Sequence, residues 1–358
     1  MSGQRRDPFV AGVVLDGALD GAGALGPVAA RGVAADGIRE AITVAAVQVR
    51  NRPDRPEERR AAIEMQVARA AEAGAELILL PELSHSGYVP NGTVWDLAET
   101  MDGPSVRHVR SLARRHRVYL GAGLVLREGD DVVNAYLLAD DAGEVAGLVR
   151  KRYAETYCFL PVDGAVAIGT RWGRIGVAIC ADNHRADTLN RVRAAGVRLH
   201  LMPHGWPMPT QVGGAVSAAD LEVAAVRARD LCRVYADRLG VPVVLVNAVG
   251  PLPPMDGLLG RLMNPERFAL GGLSQIATPG GGAFGPLRDE EDVLVAAVEL
   301  GPVDRVPGDP PTWHGWLHPG QPLLRRVLMP LDTWMGRRAY RSRRTERARR
   351  TDPAGRAA

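Results

Sequence analysis

The sequence predicts an α/β protein, because apolar runs of strand length alternate with segments of helical period. Residues 42–49 form a buried-strand run, and residues 56–73 open with proline and acids before they take a helical period. Gly74 ends that helix, and the apolar strand 77–80 follows. Strand, helix and strand within roughly forty residues are typical of a βαβ unit with two parallel strands in one sheet.

The rest of the chain continues this alternation up to about residue 300. Three strands with turn residues between them predict a meander after the helix at 105–117. The long helix at 217–239 carries one apolar stripe that includes Cys232, so we expect that cysteine in the core. The predicted strands are 118–126, 132–138, 144–149, 175–180, 197–202, 241–248, 269–276 and 293–300, and a further helix is predicted at 186–195.

Composition indicates an ordinary globular protein, since 46% of the 358 residues are hydrophobic and 24% are charged. Three cysteines, Cys158, Cys180 and Cys232, are an odd number with irregular spacing. This argues against a disulfide framework and favours a reducing compartment. No apolar run reaches the ~18 residues of a membrane span. We therefore expect a cytoplasmic protein.

The chain divides by composition into three parts. Residues 1–40 are rich in alanine and glycine, and we expect a poorly ordered extension or a loosely docked arm. The globular domain is expected at 41–301. The C-terminal extension, 302–358, contains an arginine run at 337–350 with eight arginines and one glutamate. We expect this run to be solvated and disordered; contact with nucleic acid or an anionic membrane is the weaker alternative.

Residues 322–340 mix Leu, Met and Trp with Arg. Such a segment can pack on a second subunit or lie on a membrane surface. We favour the second subunit.

Three polar side chains come directly after apolar strands, namely Glu82, Lys151 and Cys180. Loops at the ends of strands build ligand sites on a rigid floor. Lys151 is the only lysine among the 44 Lys and Arg residues, which suggests that this position needs a compact ammonium group. A buried, inert cysteine is the alternative for Cys180 on position alone.

Together the three groups can perform nucleophilic catalysis without a metal or other cofactor. A thiol with a pKa near 8.5 is mostly protonated at neutral pH, and a neighbouring carboxylate can accept its proton. An ammonium group stabilises both the thiolate and the oxyanion that forms when it attacks a carbonyl. His85, His184 and His204 show no metal-ligand spacing, so a metal site is the weaker hypothesis.

At these residues the sequence resembles the nitrilase superfamily of carbon–nitrogen hydrolases. The order Glu, Lys, Cys is that of the family, and the resemblance covers roughly residues 42–300. The matching blocks are Leu79-Leu-Pro-Glu82 with Gly87-Tyr88, Arg150-Lys-Arg152, Glu155 through Pro161-Val-Asp163, and Gly176-Val-Ala-Ile-Cys-Ala-Asp182.

The resemblance implies an αββα sandwich, two sheets flanked by helices, and a homodimer or higher homo-oligomer. It implies that Glu82 is the general base and acid, Cys180 the nucleophile, and Lys151 an oxyanion donor. The second oxyanion donor would be the backbone N–H of Ala181, and Glu155 would orient the lysine and the substrate. Expected pocket neighbours by position are Tyr88, Asn91, Asn183, His204 and Trp206.

These expectations add up to a thiol amidohydrolase that acts on a small linear amide or N-carbamoyl compound through a cysteine thioester. True nitrilases commonly have Trp-Glu after the cysteine, whereas Ala181-Asp182 follows here, so nitrile hydrolysis is the second hypothesis. The sequence also departs from the amidase pattern at residues 184–187, and Val162 stands where glycine is usual. A catalytically silent scaffold that binds partners through the arginine run is the third hypothesis, which the intact Glu82, Lys151 and Cys180 oppose.

Overall fold

A computed structural model describes residues 13–15, 40–213, 216–263, 265–301, 309 and 312–351. Its strands, in chain order, are β1 (Val13–Leu15), β2 (Ala41–Gln48), β3 (Leu77–Leu79), β4 (Tyr119–Glu128), β5 (Asp131–Ala139), β6 (Val145–Arg150), β7 (Ala167–Thr170), β8 (Gly173–Val177), β9 (Leu199–His204), β10 (Pro207–Pro209), β11 (Val243–Asn247), β12 (Val249–Pro251), β13 (Phe268–Gly271), β14 (Gln275–Ala277), β15 (Ala283–Phe284) and β16 (Asp292–Glu299).

The helices connect and cover these strands. They are α1 (Pro56–Glu72), α2 (Pro104–His116), α3 (Ala186–Ala194), α4 (Ala218–Leu239), α5 (Gly257–Leu262), α6 (Met329–Ser342) and α7 (Arg344–Thr351), with 3₁₀ helices at Gly92–Leu97 and Cys180–His184 and a π-helical turn at Leu324–Leu328. Both α1 and α2 begin with proline in the first turn, where its missing N–H has no intrahelical partner to lose.

Two large sheets form the centre of the molecule. The first has the order β1-β16-β2-β3-β4-β5-β6, and β3 is parallel to both of its neighbours. The second has the order β15-β14-β11-β9-β8-β7, with β8, β9 and β11 parallel. A third, three-stranded sheet has the order β10-β13-β12.

The apolar side chains of the two sheets alternate between two faces, which explains the layers. The inner faces share one core, in which Leu77 and Leu79 of β3 join Ile175 and Val177 of β8. The outer face of the first sheet packs on α1 and α2, and that of the second packs on α3 and α4. The expected αββα sandwich is therefore confirmed.

Two local details differ from the sequence prediction. The strand expected at 175–180 ends at Val177, and Cys180 begins the following 3₁₀ helix. The strand expected at 269–276 is divided into β13 and β14, because Gly272 and Leu273 have φ values of 59° and 61° and turn the chain between them. Apart from β1, which pairs with β16, the extension at 1–39 lies outside the described residues.

The arginine run is helical where the structure describes it, so the expectation of a disordered tail was wrong, whereas most of its arginines are exposed to solvent as expected. Most of its residues belong to α6 and α7, and three of its arginines, Arg344, Arg347 and Arg350, pair with acids of the globular domain. The buried guanidinium of Arg347 lies 3.1 Å from Asp131 Oδ1 and donates to the carbonyl of Tyr340 at 2.6 Å. Arg350 pairs with Asp96 in the same way. These ion pairs attach the end of the chain to the domain.

An exposed apolar stripe precedes the arginine run, on the helical segment 322–335. Its spacing places large side chains on one face of consecutive helical turns. The residues are Leu323, Val327, Leu331, Trp334 and Met335.

The homo-oligomer and the cytoplasmic location stay predictions. No helix among the described residues combines the length and apolar character needed to cross a membrane.

We expect Arg347→Ala to lower the free energy of unfolding by about 1–3 kcal/mol, because it removes the donor to the carbonyl of Tyr340 and leaves the Tyr340 hydroxyl as the remaining donor to Asp131 Oδ1. The matched control is Arg349→Ala, an exposed position on the same helix, with an expected change within about 0.5 kcal/mol. Urea denaturation measures both. Equal stability of the two variants would contradict the attachment inferred here.

Candidate active site

The ammonium group of Lys151 is the centre of the most strongly charged buried cluster that we find among the described residues. Its Nζ lies 2.6 Å from Oε1 of Glu82 and 2.7 Å from Oε1 of Glu155. Burial alone would lower the pKa of Lys151, but the carboxylates of Glu155 and Glu82 and the nearby thiol of Cys180 hold it well above its usual value. The lysine is therefore charged at neutral pH.

Glu82 is held by neutral donors as well as by the lysine. Asn134 Nδ2 donates to its Oε1 at 2.7 Å, and the backbone N–H of Gly205 donates to its Oε2 at 2.8 Å. Burial raises the pKa of Glu82, Lys151 opposes that rise, and Glu155 adds to it. A carboxylate that is desolvated in this way takes up a proton more readily than one in water, which suits a general base.

Cys180 begins the 3₁₀ helix that follows β8, with a φ of 47°. That backbone conformation is uncommon for a residue with a side chain and often marks a functional turn. Burial raises the pKa of the Cys180 thiol well above its usual value; the charge of Glu82 adds to this effect, and Lys151 opposes it. The sulfur is thus a thiol at neutral pH and needs a base to become a nucleophile.

Asp182 joins the turn of Cys180 to the loop after Lys151. Its carboxylate accepts from the backbone N–H of Tyr153 at 2.7 Å, of Arg152 at 3.3 Å and of Ile179 at 3.4 Å. Burial raises the pKa of Asp182 to about 6. Ala181 lies between Cys180 and Asp182 in the first turn of the 3₁₀ helix. Backbone N–H groups in a first turn have no intrahelical acceptor.

The two carboxylate oxygens of Glu155 differ in their hydrogen bonding. Its Oε1 accepts from Lys151 and from the Tyr88 hydroxyl, the latter at 3.0 Å. Its Oε2 is buried and has no hydrogen-bond partner among the described residues. A buried acceptor without a donor costs free energy, so this oxygen is available to a ligand.

Two close approaches of the backbone fix the position of Glu82. A Cβ atom at Gly123 of β4 would lie 2.0 Å from the backbone N of Leu83, and one at Gly205 would lie 2.4 Å from the Tyr88 ring. Neither position leaves room for a side chain. The strand next to β3 therefore supports the turn of Glu82 from one side, and the loop after β9 supports it from the other.

Residues 43–307 match the family model described as carbon–nitrogen hydrolase, and this match covers most of the chain. The chain belongs to the carbon–nitrogen hydrolase family. Among curated relatives, the citrullinase of Francisella tularensis is 30% identical over 174 residues, which are 45% of this chain and 60% of the relative. The bromoxynil-specific nitrilase of Klebsiella pneumoniae is 27% identical over 237 residues, 60% of this chain and 64% of the relative.

The match thus spans slightly less than two thirds of the length of each of these two relatives.

Solved structures support the same fold. An amidase from Nesterenkonia sp. gives a TM-score of 0.58 at 24% identity and covers 72% of this chain and 90% of that one. A carbon–nitrogen hydrolase from Helicobacter pylori G27 gives a TM-score of 0.64 at 19% identity, with coverages of 72% and 89%.

Three of the expected pocket neighbours form a layer beneath and beside the cysteine turn. The buried amide of Asn183 donates to the carbonyl of Ala178 at 2.7 Å and lies 3.3 Å from His204 Nε2. The ring of His204 is 5.6 Å from that of Trp206. Burial lowers the pKa of His204 well below its usual value, so this layer is neutral. Tyr88, the fourth neighbour, contacts Glu155 as described.

The fifth expected neighbour, Asn91, makes its hydrogen bonds with residues outside the Lys151 cluster, and its place in the pocket stays a prediction. Its Oδ1 accepts from the backbone N–H of Thr93 and caps the 3₁₀ helix at Gly92–Leu97, and its Nδ2 donates to the carbonyl of Pro254 at 2.7 Å. Asparagine is favoured at such caps, and the helical start was not predicted from the loop-like composition.

Sequence reasoning missed three groups that hold Glu82 and Cys180 in place, namely Asn134, Asp182 as a bridge, and the N–H of Gly205. For Asn134 a signal was present, because it is the one polar residue in the interior of β5. A buried polar side chain in an apolar strand requires a partner. The role of Gly205 depends on a distance between two loops and leaves no local pattern.

A separate cavity of about 430 Å³ lies between α1, α2 and the loop after Glu82. Its lining includes Arg59, His85, Glu99 and Arg127, with Glu82, Lys151 and Cys180 absent from it. We take the Lys151 cluster and not this cavity as the candidate active site. A buried lysine between two carboxylates is the kind of arrangement that shifts pKa values at catalytic sites.

We expect Lys151→Ala to lower the free energy of unfolding by about 3–5 kcal/mol at pH 7, because it leaves two buried carboxylates without a counter-charge. Without the ammonium the folded-state pKa of Glu82 rises further above its unfolded value, so the loss of stability grows as the pH rises through that range. Urea denaturation should therefore show a smaller loss at pH 5 than at pH 7. An equal loss at both pH values would contradict the pairing.

Proposed function

We propose that this protein is a thiol amidohydrolase that cleaves the C–N bond of a small linear amide or N-carbamoyl compound. The observation that carries the proposal is the buried contact of Lys151 with Glu82, whose charges both act on the thiol of Cys180. A nucleophile, a base and a cation are then in one place. Membership of the carbon–nitrogen hydrolase family supports the same reaction class.

In the first half of the proposed reaction, Glu82 accepts the proton of Cys180 while the sulfur attacks the amide carbon. The electron pair of the C=O bond moves to oxygen, and this oxyanion lies between Lys151 and the backbone N–H of Ala181. When the C=O bond forms again, the C–N bond breaks and the nitrogen takes the proton from Glu82. Ammonia or an amine leaves, and an acyl group remains on sulfur as a thioester.

In the second half, water replaces the amine. Glu82, again a carboxylate, accepts a proton from water as its oxygen attacks the thioester carbon. The C–S bond then breaks, the acid leaves, and the sulfur recovers the proton from Glu82. Lys151 stays protonated throughout, in agreement with its raised pKa.

Glu155 supplies orientation. Its unpartnered Oε2 can accept the N–H of an amide or carbamoyl nitrogen, and this contact would point the C–N bond toward the sulfur. A nitrile has no N–H to donate, so this observation favours the amide over the nitrile. Nitrile hydrolysis remains the second candidate, because one of the relatives is a nitrilase.

The substrate class is tested by ammonia release over linear amides, N-carbamoyl amino acids, nitriles and L-citrulline, which is included because one relative is named citrullinase. We expect an amide or carbamoyl compound to be hydrolysed fastest, and Cys180→Ala to reduce the rate by at least about 10³-fold. Faster turnover of nitriles than of every amide would reverse the order of the two candidates.

The thioester is tested by mass spectrometry of the unaltered protein, denatured in acid during turnover of the best substrate, because Glu82 takes part in both the formation and the hydrolysis of the thioester. The acyl mass should appear on the peptide that contains Cys180. Cys158 and Cys232 serve as internal controls, because both are buried and their thiol pKa values are raised by burial. An acyl group on either of these thiols, or on none, would contradict the mechanism.

The pH dependence should follow Glu82, which acts only as a carboxylate. Since burial raises the pKa of Glu82, kcat/KM should fall as the pH drops through a value above the ordinary 4.5. The alkaline side should stay flat to about pH 9, because the pKa of Lys151 lies well above its usual value. The measurement is kcat/KM from pH 4 to 10. Loss of activity between pH 7 and 9 would argue against a permanently charged lysine.

A further inference from the structure

The cavity of about 430 Å³ beside the loop after Glu82 lies on the outer face of the first sheet. Its floor contains Ile63 of α1 and Leu124 and Leu126 of β4, which belong to the apolar layer between this sheet and its helices. Cys180, in contrast, belongs to the core on the inner face. Binding sites for small molecules are commonly concave, largely apolar and about 300–1,000 Å³ in volume. The cavity therefore has the size and the floor of a second ligand site.

Three arginines line this cavity, namely Arg59 and Arg60 of α1 and Arg127 of β4. Arg59 is buried, and its Nε donates to the carbonyl of His85 at 3.0 Å. Its Nη1 donates to two further carbonyl groups in the turn before α1. These acceptors are neutral, and burial together with the charge of Arg60 lowers the pKa of Arg59 to about 10. A buried cation without a counter-charge costs free energy, so the cavity favours an anion.

The carboxylates that line the cavity do not neutralise these arginines. Within the part of the chain that the structure describes, no carboxylate forms an ion pair with any of the three. Asp96 lines the cavity but pairs with Arg350. Glu99 also lines it, and its carboxylate accepts from the backbone N–H and the hydroxyl of Ser105, each at 2.8 Å. The lining thus carries more positive than negative charge.

Hydrogen bonds between α1, α2 and the loop after Glu82 hold one wall of the cavity in place. Nε2 of His85 lies 3.2 Å from Nδ1 of His108, and Nε2 of His108 lies 2.8 Å from Oε1 of Glu64. Burial lowers the pKa of His85 to about 3, so this histidine is neutral at pH 7 and the arginines supply the positive charge. A site that is formed before its ligand arrives loses less conformational freedom on binding.

We propose that this cavity binds a small monocarboxylate with an apolar body, a medium-chain or aromatic acid, at a site separate from the one that contains Cys180. The carboxylate of the ligand accepts hydrogen bonds from the arginines, which bind such groups with charge-assisted contacts. The apolar body covers the leucine side chains of β4 and is removed from water. The negative charge of Glu99 in the wall disfavours a ligand with several negative charges.

Isothermal titration calorimetry tests the site with four acids, each compared with the alcohol of the same carbon skeleton. The acids are hexanoate, octanoate, benzoate and 2-naphthoate, and the alcohols are 1-hexanol, 1-octanol, benzyl alcohol and 2-naphthalenemethanol. At least one acid should bind with a Kd below about 1 mM. Its alcohol should bind about 10-fold more weakly or less well still, because it lacks the charge that the arginines recognise.

The variants Arg60→Met and Arg127→Met should each weaken binding of that acid by about 10-fold or more and change binding of the alcohol little. Arg59 is left unaltered, because its hydrogen bonds support the loop after Glu82. The matched control is Arg115→Met, an exposed arginine of α2 that is not part of the lining, which should leave the affinity unchanged. Arg127→Lys should retain part of the affinity, because it keeps the charge but not the paired donors.

These measurements do not depend on whether the protein hydrolyses amides, since binding is measured directly. Affinity for the acid that is equal in the unaltered protein and in both methionine variants would place the acid elsewhere, at the active site for example, and would overturn the proposal. So would failure of all four acids to bind at about 10 mM, or an equal loss of affinity in the Arg115→Met control. Far-UV circular dichroism checks that the variants are folded.

Discussion

The structure of the candidate active site depends on one constraint, that a lysine ammonium is buried between two carboxylates. Removing these groups from water costs several kcal/mol for each ion, and only close pairing offsets that cost. Lys151 meets Glu82 and Glu155 at 2.6 and 2.7 Å, and the surrounding donors satisfy most of the remaining oxygen atoms. The cluster carries a net charge of −1 when both acids are ionised. A neutral thiol therefore belongs beside it in the resting state.

That constraint explains why the two sheets must be positioned accurately. Glu82 and Lys151 follow strands of the first sheet, whereas Cys180 follows β8 of the second. The shared apolar core sets the distance between the sheets, and Asp182 ties the loop after Lys151 to the turn of Cys180. Packing that is remote from these residues thus determines whether Glu82 and Cys180 meet.

Much of this could be predicted from the sequence, because the informative features are local. Alternating apolar runs and helical periods located most of the strands and helices of the domain, and the single lysine with its neighbours identified the charged cluster. The functional roles of Glu82, Lys151 and Cys180 stay proposals. What the sequence could not provide are contacts between distant segments. Two examples are the hydrogen bond from the N–H of Gly205 to Glu82 and the ion pair of Arg347 with Asp131. Both depend on how loops and termini pack together, which a periodic sequence pattern does not show.

The arrangement of the C-terminal segment has a practical consequence for anyone who prepares this protein. Similarity to the family model ends at residue 307, which invites a shortened version that stops there. In such a fragment the indole of Trp95 would lose the side chains of Arg343 and Tyr340 that cover it. Asp96 and Asp131 would lose their ion pairs and face solvent. It would also open the wall beside His184. Cloning boundaries should follow the contacts of the last helix and extend past residue 351.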